Sequence, residues 1–267
     1  MNRKQELQEN GYLVVPAAVP FDLCRAVVKD IKLHLKDADS RSQPNPYGMV
    51  EMYHYQSMWD VRQHPAVLNA FAPLFGTDKL WVSIDRTGCK LPVPVDWKPQ
   101  YDLSFGFMHW DICINQKPRP FEVQGVIALT DTDADMGGFQ CMPGLYRDLD
   151  KWLNKQPCFK ARTSYLEQPY EYDVEVVPMK AGDLLIWDSF LPHGNGVNRG
   201  DHVRYAQYVT MMPVGDGRLR QERIECWKTN SPPSGWAFPG DSRLIEQQKP
   251  PASLSMTGER LLGLQEW

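Results

Sequence analysis

His109-Trp110-Asp111, followed far downstream by His193 and then Arg204, is the set of residues in this chain whose types and spacing point to chemistry. Two histidines and one carboxylate can occupy one face of a non-haem iron and leave the opposite positions open for ligands. On extended backbone His109 and Asp111 point to the same side, because side chains alternate along a strand. An arginine eleven residues after the second histidine has a planar fork suited to pairing bidentately with a carboxylate.

The surrounding segments decide whether these residues can meet. His193 follows Gly182-Asp183-Leu184-Leu185-Ile186-Trp187-Asp188, a turn and then a buried-strand pattern. After it, Gly194 to Gly200 is rich in turn residues. The next extended stretch, Val203 to Met212, places Arg204, Ala206, Tyr208 and Thr210 on one face. Small and polar neighbours beside an arginine suit a pocket wall better than a packed core.

Other stretches supply the framework. Residues 20–37 open with Pro20 and space Phe21, Cys24, Val28, Ile31 and Leu35 near the helical period, so a helix is predicted to cover a sheet here. A second helix is predicted over 64–75, stopped by Gly76. Residues 38–62 read as a loop over the site mouth, with Tyr47, Tyr53, Tyr55 and Trp59 lining or packing its entrance. Strands are predicted at 80–85, 123–130, 174–177, 184–188 and 203–212. Short strands separated by turns, with helices mainly towards the N-terminus, indicate a mainly β fold with α: an antiparallel double-sheet jelly roll buttressed by N-terminal helices. One domain is expected over 1–267, with 214–267 an irregular C-terminal extension packed on it. Residues 257–264 are expected to form a short docking helix.

Composition narrows the function classes. Apolar residues make up 42%, which is enough for a sizeable core, and the net charge is -4. No block of Lys or Arg suggests nucleic acid, and no apolar run reaches transmembrane length, so neither a nucleic-acid nor a membrane partner is expected. The six cysteines stand at 24, 89, 113, 141, 158 and 226, without a Cys-x-x-Cys pair. They read as reduced thiols, and a cytoplasmic location is expected. There is no Gly-x-Ser-x-Gly, P-loop or dinucleotide fingerprint, which removes support for serine hydrolase, nucleotide and flavin readings.

The chain resembles the phytanoyl-CoA dioxygenase-like family of Fe(II)/2-oxoglutarate-dependent oxygenases. The matching pieces are Glu9 to Val15, His109-Trp110-Asp111, Ala128 to Asp131, Gly137-Gly138-Phe139-Gln140, Met142-Pro143-Gly144, and the run from Gly182 through His193 to Arg204. The resemblance implies a double-stranded β-helix, the cupin-like form of the jelly roll. It implies iron held by His109, Asp111 and His193, with 2-oxoglutarate anchored by Arg204 and O2 as the other co-substrate. Asn195 stands where the family commonly has Ser, and its amide would still bond the co-substrate. Lys90 lies where members use a basic residue. The carboxylate of Asp111 is missing in related halogenases, so its presence implies hydroxylation or desaturation instead. A small-molecule prime substrate is expected, with Trp110 and Arg86 as candidate contacts. Its identity and the oligomeric state stay open. Two other readings remain: a cupin-like hydrolase or isomerase using zinc or manganese without Arg204, and a non-catalytic jelly-roll binding module.

Overall fold

The computed structural model describes residues 2–36, 48–96, 108–155, 164–166, 171–215, 217–234 and 240–267. The described elements run α1 (Arg3–Asn10), β1 (Tyr12–Val15), α2 (Phe21–Leu35), β2 (Met49–Val50), α3 (Gln56–Arg62), α4 (Pro65–Phe75), β3 (Leu80–Val82) and β4 (Thr87–Lys90). They continue with β5 (His109–Trp110), β6 (Val123–Ala128), β7 (Phe139–Cys141), α5 (Pro143–Arg147), α6 (Leu149–Leu153), β8 (Ser164–Tyr165) and β9 (Glu175–Val176). The last are β10 (Leu184–Asp188), β11 (His193–Asn195), β12 (Arg204–Tyr208), β13 (Met211–Pro213), α7 (Arg220–Thr229) and α8 (Met256–Leu262).

Two antiparallel sheets face each other. The larger has the order β1-β10-β6-β12-β4-β2 and the smaller β8-β5-β11-β7-β9. Neighbours in space are mostly distant in sequence, as a double-stranded β-helix requires. Period-two alternation divides the larger sheet's side chains between two environments. Leu13, Ile127, Leu184, Ile186 and Tyr205 point outward into a core shared with α2, α3 and α4. Val126, Ala128, Leu185, Trp187 and Ala206 point inward and meet Phe139 and Cys141 of the smaller sheet. The smaller sheet has its own outer layer, in which Trp110 and Met108 pack on Leu145, Leu149 and Trp152 of α5 and α6.

The helices form where local signals and apolar spacing agree. In α1, Asn2 and Gln5 complete a reciprocal capping box that satisfies donors at the helix start. Pro65 opens α4, where its missing N–H costs nothing, and Gly76 closes it. Cys24, Val27 and Ile31 recur at the helical period and bury the inner face of α2.

Two expectations change. The span 38–62 is not loop throughout, since β2 and α3 lie within it, and Tyr53, Tyr55 and Trp59 are buried packing residues. Tyr47 lies outside the described residues. The C-terminal extension is more regular than its composition suggested. It carries α7, a polar helix whose only buried residue is Cys226, besides α8 at the expected place. Leu261, Leu262, Ala252 and Trp227 join the main core, which ties the extension to the sheet.

Candidate metal centre

His109 on β5 and His193 on β11 are direct partners across the ladder of the smaller sheet. Their rings stand 4.6 Å apart between centroids. Asp111 follows β5, and its two carboxylate oxygens lie 3.5 Å from His109 Nε2 and 3.3 Å from His193 Nε2. One donor atom from each of the three falls within 4.8 Å of the others. Sheet register thus brings together residues 84 apart in sequence, and the two-residue spacing adds the carboxylate on the same face.

The donor set suits a divalent cation. His193 Nδ1 lies 3.0 Å from the Leu191 carbonyl, which can only accept, so Nδ1 carries the proton and Nε2 keeps its lone pair in the neutral ring. A lone pair facing a carboxylate oxygen at 3.3 Å repels it unless a proton or a cation lies between them. Burial alone would raise the Asp111 carboxyl, but the imidazoles of His109 and His193, when protonated, outweigh it and hold the group well below the usual carboxylate range. Such a carboxylate stays ionised, as a metal ligand must.

His193 is held from several sides. Phe139 stacks on it at 5.9 Å and Trp187 packs at 5.0 Å. The turn before it is fixed by Asp188, whose carboxylate accepts the Phe190 N–H and whose carbonyl accepts the Leu191 N–H. A fixed ring orientation matters because second-layer contacts set which nitrogen a metal sees.

Arg204 approaches from the facing sheet. It is 5% exposed, and its Nη2 donates to the Gly137 carbonyl at 2.9 Å and to Asn195 Oδ1 at 3.0 Å. Its buried Nε has no partner among the described residues. A buried guanidinium left with an unspent donor fits an anion supplied from outside the chain. Lys90 stands directly opposite Arg204 on β4 and is also buried. Burial, and then the Arg204 charge, lower its ammonium to about 7. Asn195 shares the inward face with His193, and its Nδ2 lies 3.4 Å from the Tyr208 hydroxyl.

The other two candidates separate. Arg86 lies one strand over from Tyr208, whose N–H donates to the Arg86 carbonyl, and its Nε is 3.4 Å from Asp85. Trp110 does not meet the site. It is fully buried on the opposite face of β5, bonded through Nε1 to the Phe190 carbonyl at 2.8 Å and packed on Trp152. Strand alternation, which puts His109 inward, puts Trp110 outward.

Sequence reasoning missed the contributions of backbone: the Leu191 carbonyl that fixes the tautomer and the Gly137 carbonyl that holds Arg204. No side-chain pattern announces a carbonyl, although the Gly137-Gly138 pair marked the place. Trp187 was visible only as a strand residue, and Phe139 only as part of the Gly137-Gly138-Phe139-Gln140 piece.

This fold and this constellation match a known family. Residues 7–206, well over half of the chain, match the model of the phytanoyl-CoA dioxygenase (PhyH) family, and the chain belongs to that family. The chain is also similar to Ava biosynthesis cluster protein O of Aspergillus versicolor, at 28% identity over 189 residues, covering 62% of this chain and 56% of the relative. It therefore spans little more than half of that relative's length. Among solved structures, GlcNAc Inducible Gene 2 (GIG2) from Candida albicans superposes with a TM-score of 0.79 at 13% identity, over 99% of this chain and 76% of the other. The epimerase SnoN, in complex with Fe3+, alpha ketoglutarate and nogalamycin RO, superposes with a TM-score of 0.58 at 16% identity, over 94% of each chain. At these identities the structural likeness is one of fold.

Proposed function

We propose that this protein is an Fe(II)- and 2-oxoglutarate-dependent dioxygenase that hydroxylates an unactivated C–H bond of a small-molecule substrate, releasing succinate and CO2. The observation that carries the reading is the pairing of two features across the sandwich: the His109–Asp111–His193 cluster on one sheet and Arg204 with an unspent donor on the other. A hydrolytic metal site has no use for the second feature. Membership of the PhyH family supports the reading.

In this proposal His109, Asp111 and His193 hold iron, and Arg204 with Lys90 binds the distal carboxylate of 2-oxoglutarate. Bound iron supplies O2 activation coupled to oxidative decarboxylation of the keto acid. The chain's own work is geometric. The Leu191 carbonyl keeps the His193 lone pair on the metal side, the aromatic pair keeps its ring still, and the inward-facing core residues keep water from the inner end of the cleft. Arg86 is the candidate contact for an anionic group on the prime substrate.

The test is an anaerobic titration of metal-free protein with Fe(II) and then 2-oxoglutarate, following the weak visible charge-transfer band. The band is expected to need both additions, to vanish in His109→Ala, and to demand far more 2-oxoglutarate in Arg204→Ala. A wild-type protein that binds metal yet shows no band with 2-oxoglutarate would sink the oxygenase reading.

A further inference from the structure

The amide of Asn195 can be oriented without ambiguity. Arg204 Nη2 donates to it at 3.0 Å, and a guanidinium can only donate, so the atom facing Arg204 is the oxygen. The nitrogen therefore faces Tyr208, and at 3.4 Å the phenol oxygen accepts from it. A phenol that accepts through its oxygen still has its own proton to give. Among the described residues, no acceptor is found for that proton. Tyr208 is half-buried and sits on the inward face of β12, four residues after Arg204. One amide accepts from Arg204 and donates to Tyr208, so the Tyr208 hydroxyl and the Arg204 guanidinium lie side by side.

We propose that the Tyr208 hydroxyl donates a hydrogen bond to the same distal carboxylate that Arg204 binds, and that Asn195 is a positioning residue holding the two donors at a common spacing. This rests on the 2-oxoglutarate reading above and extends it. Asn195 then has its oxygen engaged by Arg204 and one of its two amide N–H groups by Tyr208, which ties it to both neighbours. The ligand class follows from the chemistry. It is a 2-keto acid with a second carboxylate, which accepts from a guanidinium and a phenol together.

The experiment compares two keto acids on the Fe(II)-loaded protein under anaerobic conditions. 2-Oxoglutarate has the distal carboxylate and 2-oxobutanoate lacks it, while both can chelate iron through the keto and carboxylate oxygens. Tyr208→Phe keeps the ring and removes only the hydroxyl. It is expected to weaken 2-oxoglutarate by roughly tenfold, the scale of a hydrogen bond to a charged group. The affinity for 2-oxobutanoate, and for Fe(II) alone, is expected to stay at the wild-type value. Asn195→Ala is expected to show the same selectivity for the diacid. An unchanged 2-oxoglutarate affinity in Tyr208→Phe overturns the proposal, and so does an equal loss for both keto acids, which marks a general disturbance of the pocket. In either case the wild-type band leaves the oxygenase reading intact. No band in the wild type removes both.

Discussion

Lys90 and Arg204 occupy opposite positions on β4 and β12, 6% and 5% exposed, so two cations stand as direct cross-strand neighbours inside the protein. Like charges in that relation destabilise a sheet unless something offsets them. In the proposed function the dianionic co-substrate brings negative charge to both. Burial, and then Arg204, bring the Lys90 ammonium to about 7, whereas a guanidinium keeps its proton. Below about pH 7 Lys90 is charged before the ligand arrives. Above it, binding must take up a proton, so affinity falls by up to tenfold per pH unit. The dissociation constant of 2-oxoglutarate is thus expected to rise between about pH 7 and about pH 9, and Lys90→Met should flatten that slope. Parallel slopes in the two proteins would show that Lys90 is not the group involved.

The same pair makes an opposite prediction for stability. The folded-state value of Lys90 lies below that of an unfolded chain, so its cost is fully present below about pH 7 and is relieved as pH rises towards the unfolded value. Lys90→Met is expected to stabilise the ligand-free protein by about 1–3 kcal/mol at neutral pH, and by less near pH 10. Chemical denaturation at the two pH values measures this. Stability would then rise while co-substrate affinity falls, the trade commonly found at functional sites.

The metal triad predicts a linkage. A cation that binds only the folded arrangement of His109, Asp111 and His193 raises the melting temperature as its concentration increases. Manganese(II), which avoids oxidation during the scan, is expected to raise Tm in the wild type and to leave Asp111→Ala unmoved. Asp111 is half exposed, so its truncation disturbs little else. An equal Tm rise in both proteins would place the metal elsewhere.

Much of this site could be read before the fold was known. His109, Asp111 and His193 were legible because their chemistry is strict and their spacing fits a strand. Arg204 was legible because it begins a strand whose alternate positions are small or polar. What was not legible lies in three dimensions. The six-stranded order β1-β10-β6-β12-β4-β2 is set by long-range pairing that no local period encodes. The helix α7 has little apolar spacing and owes its place to contacts such as those of Arg223 with the carbonyls of Val82, Leu261 and Leu262. Trp110 sat inside the His-x-Asp motif and so looked functional, but the alternation that makes the motif work turns it away from the metal.

That placement of Trp110 gives a prediction of its own. The indole fills the layer between β5 and α6 and bonds the Phe190 carbonyl, three residues before His193. Trp110→Phe is expected to cost about 1–3 kcal/mol in denaturant unfolding, through the lost volume and an unpaired buried carbonyl. Iron and 2-oxoglutarate affinities should change little, because the Leu191 carbonyl still fixes His193. A large loss of substrate turnover with unchanged stability would instead put Trp110 in contact with substrate.

Gly137 joins the packing of the site to its backbone, and a matched glycine elsewhere makes the argument testable. Gly137 has φ +67°, and an added Cβ would stand 2.6 Å from the Asn198 nitrogen and 2.7 Å from the Gly196 carbonyl oxygen. Both obstacles are backbone, which cannot swing aside. Gly76 has nearly the same dihedral, φ +68°, with nothing within 4 Å of the Cβ position. Alanine at Gly76 bears only the left-handed conformation, about 1 kcal/mol. Alanine at Gly137 bears that cost and must also push apart the 137 and 196–198 segments. The Gly137 carbonyl holds Arg204 Nη2, so the displacement reaches the co-substrate anchor. Gly137→Ala is therefore expected to lower Tm by several degrees more than Gly76→Ala, on a scale of about 2–4 °C per kcal/mol. It should also weaken 2-oxoglutarate, while Gly76→Ala leaves that affinity unchanged. If both variants bind the keto acid like the wild type, Arg204 does not depend on the Gly137 carbonyl for its position.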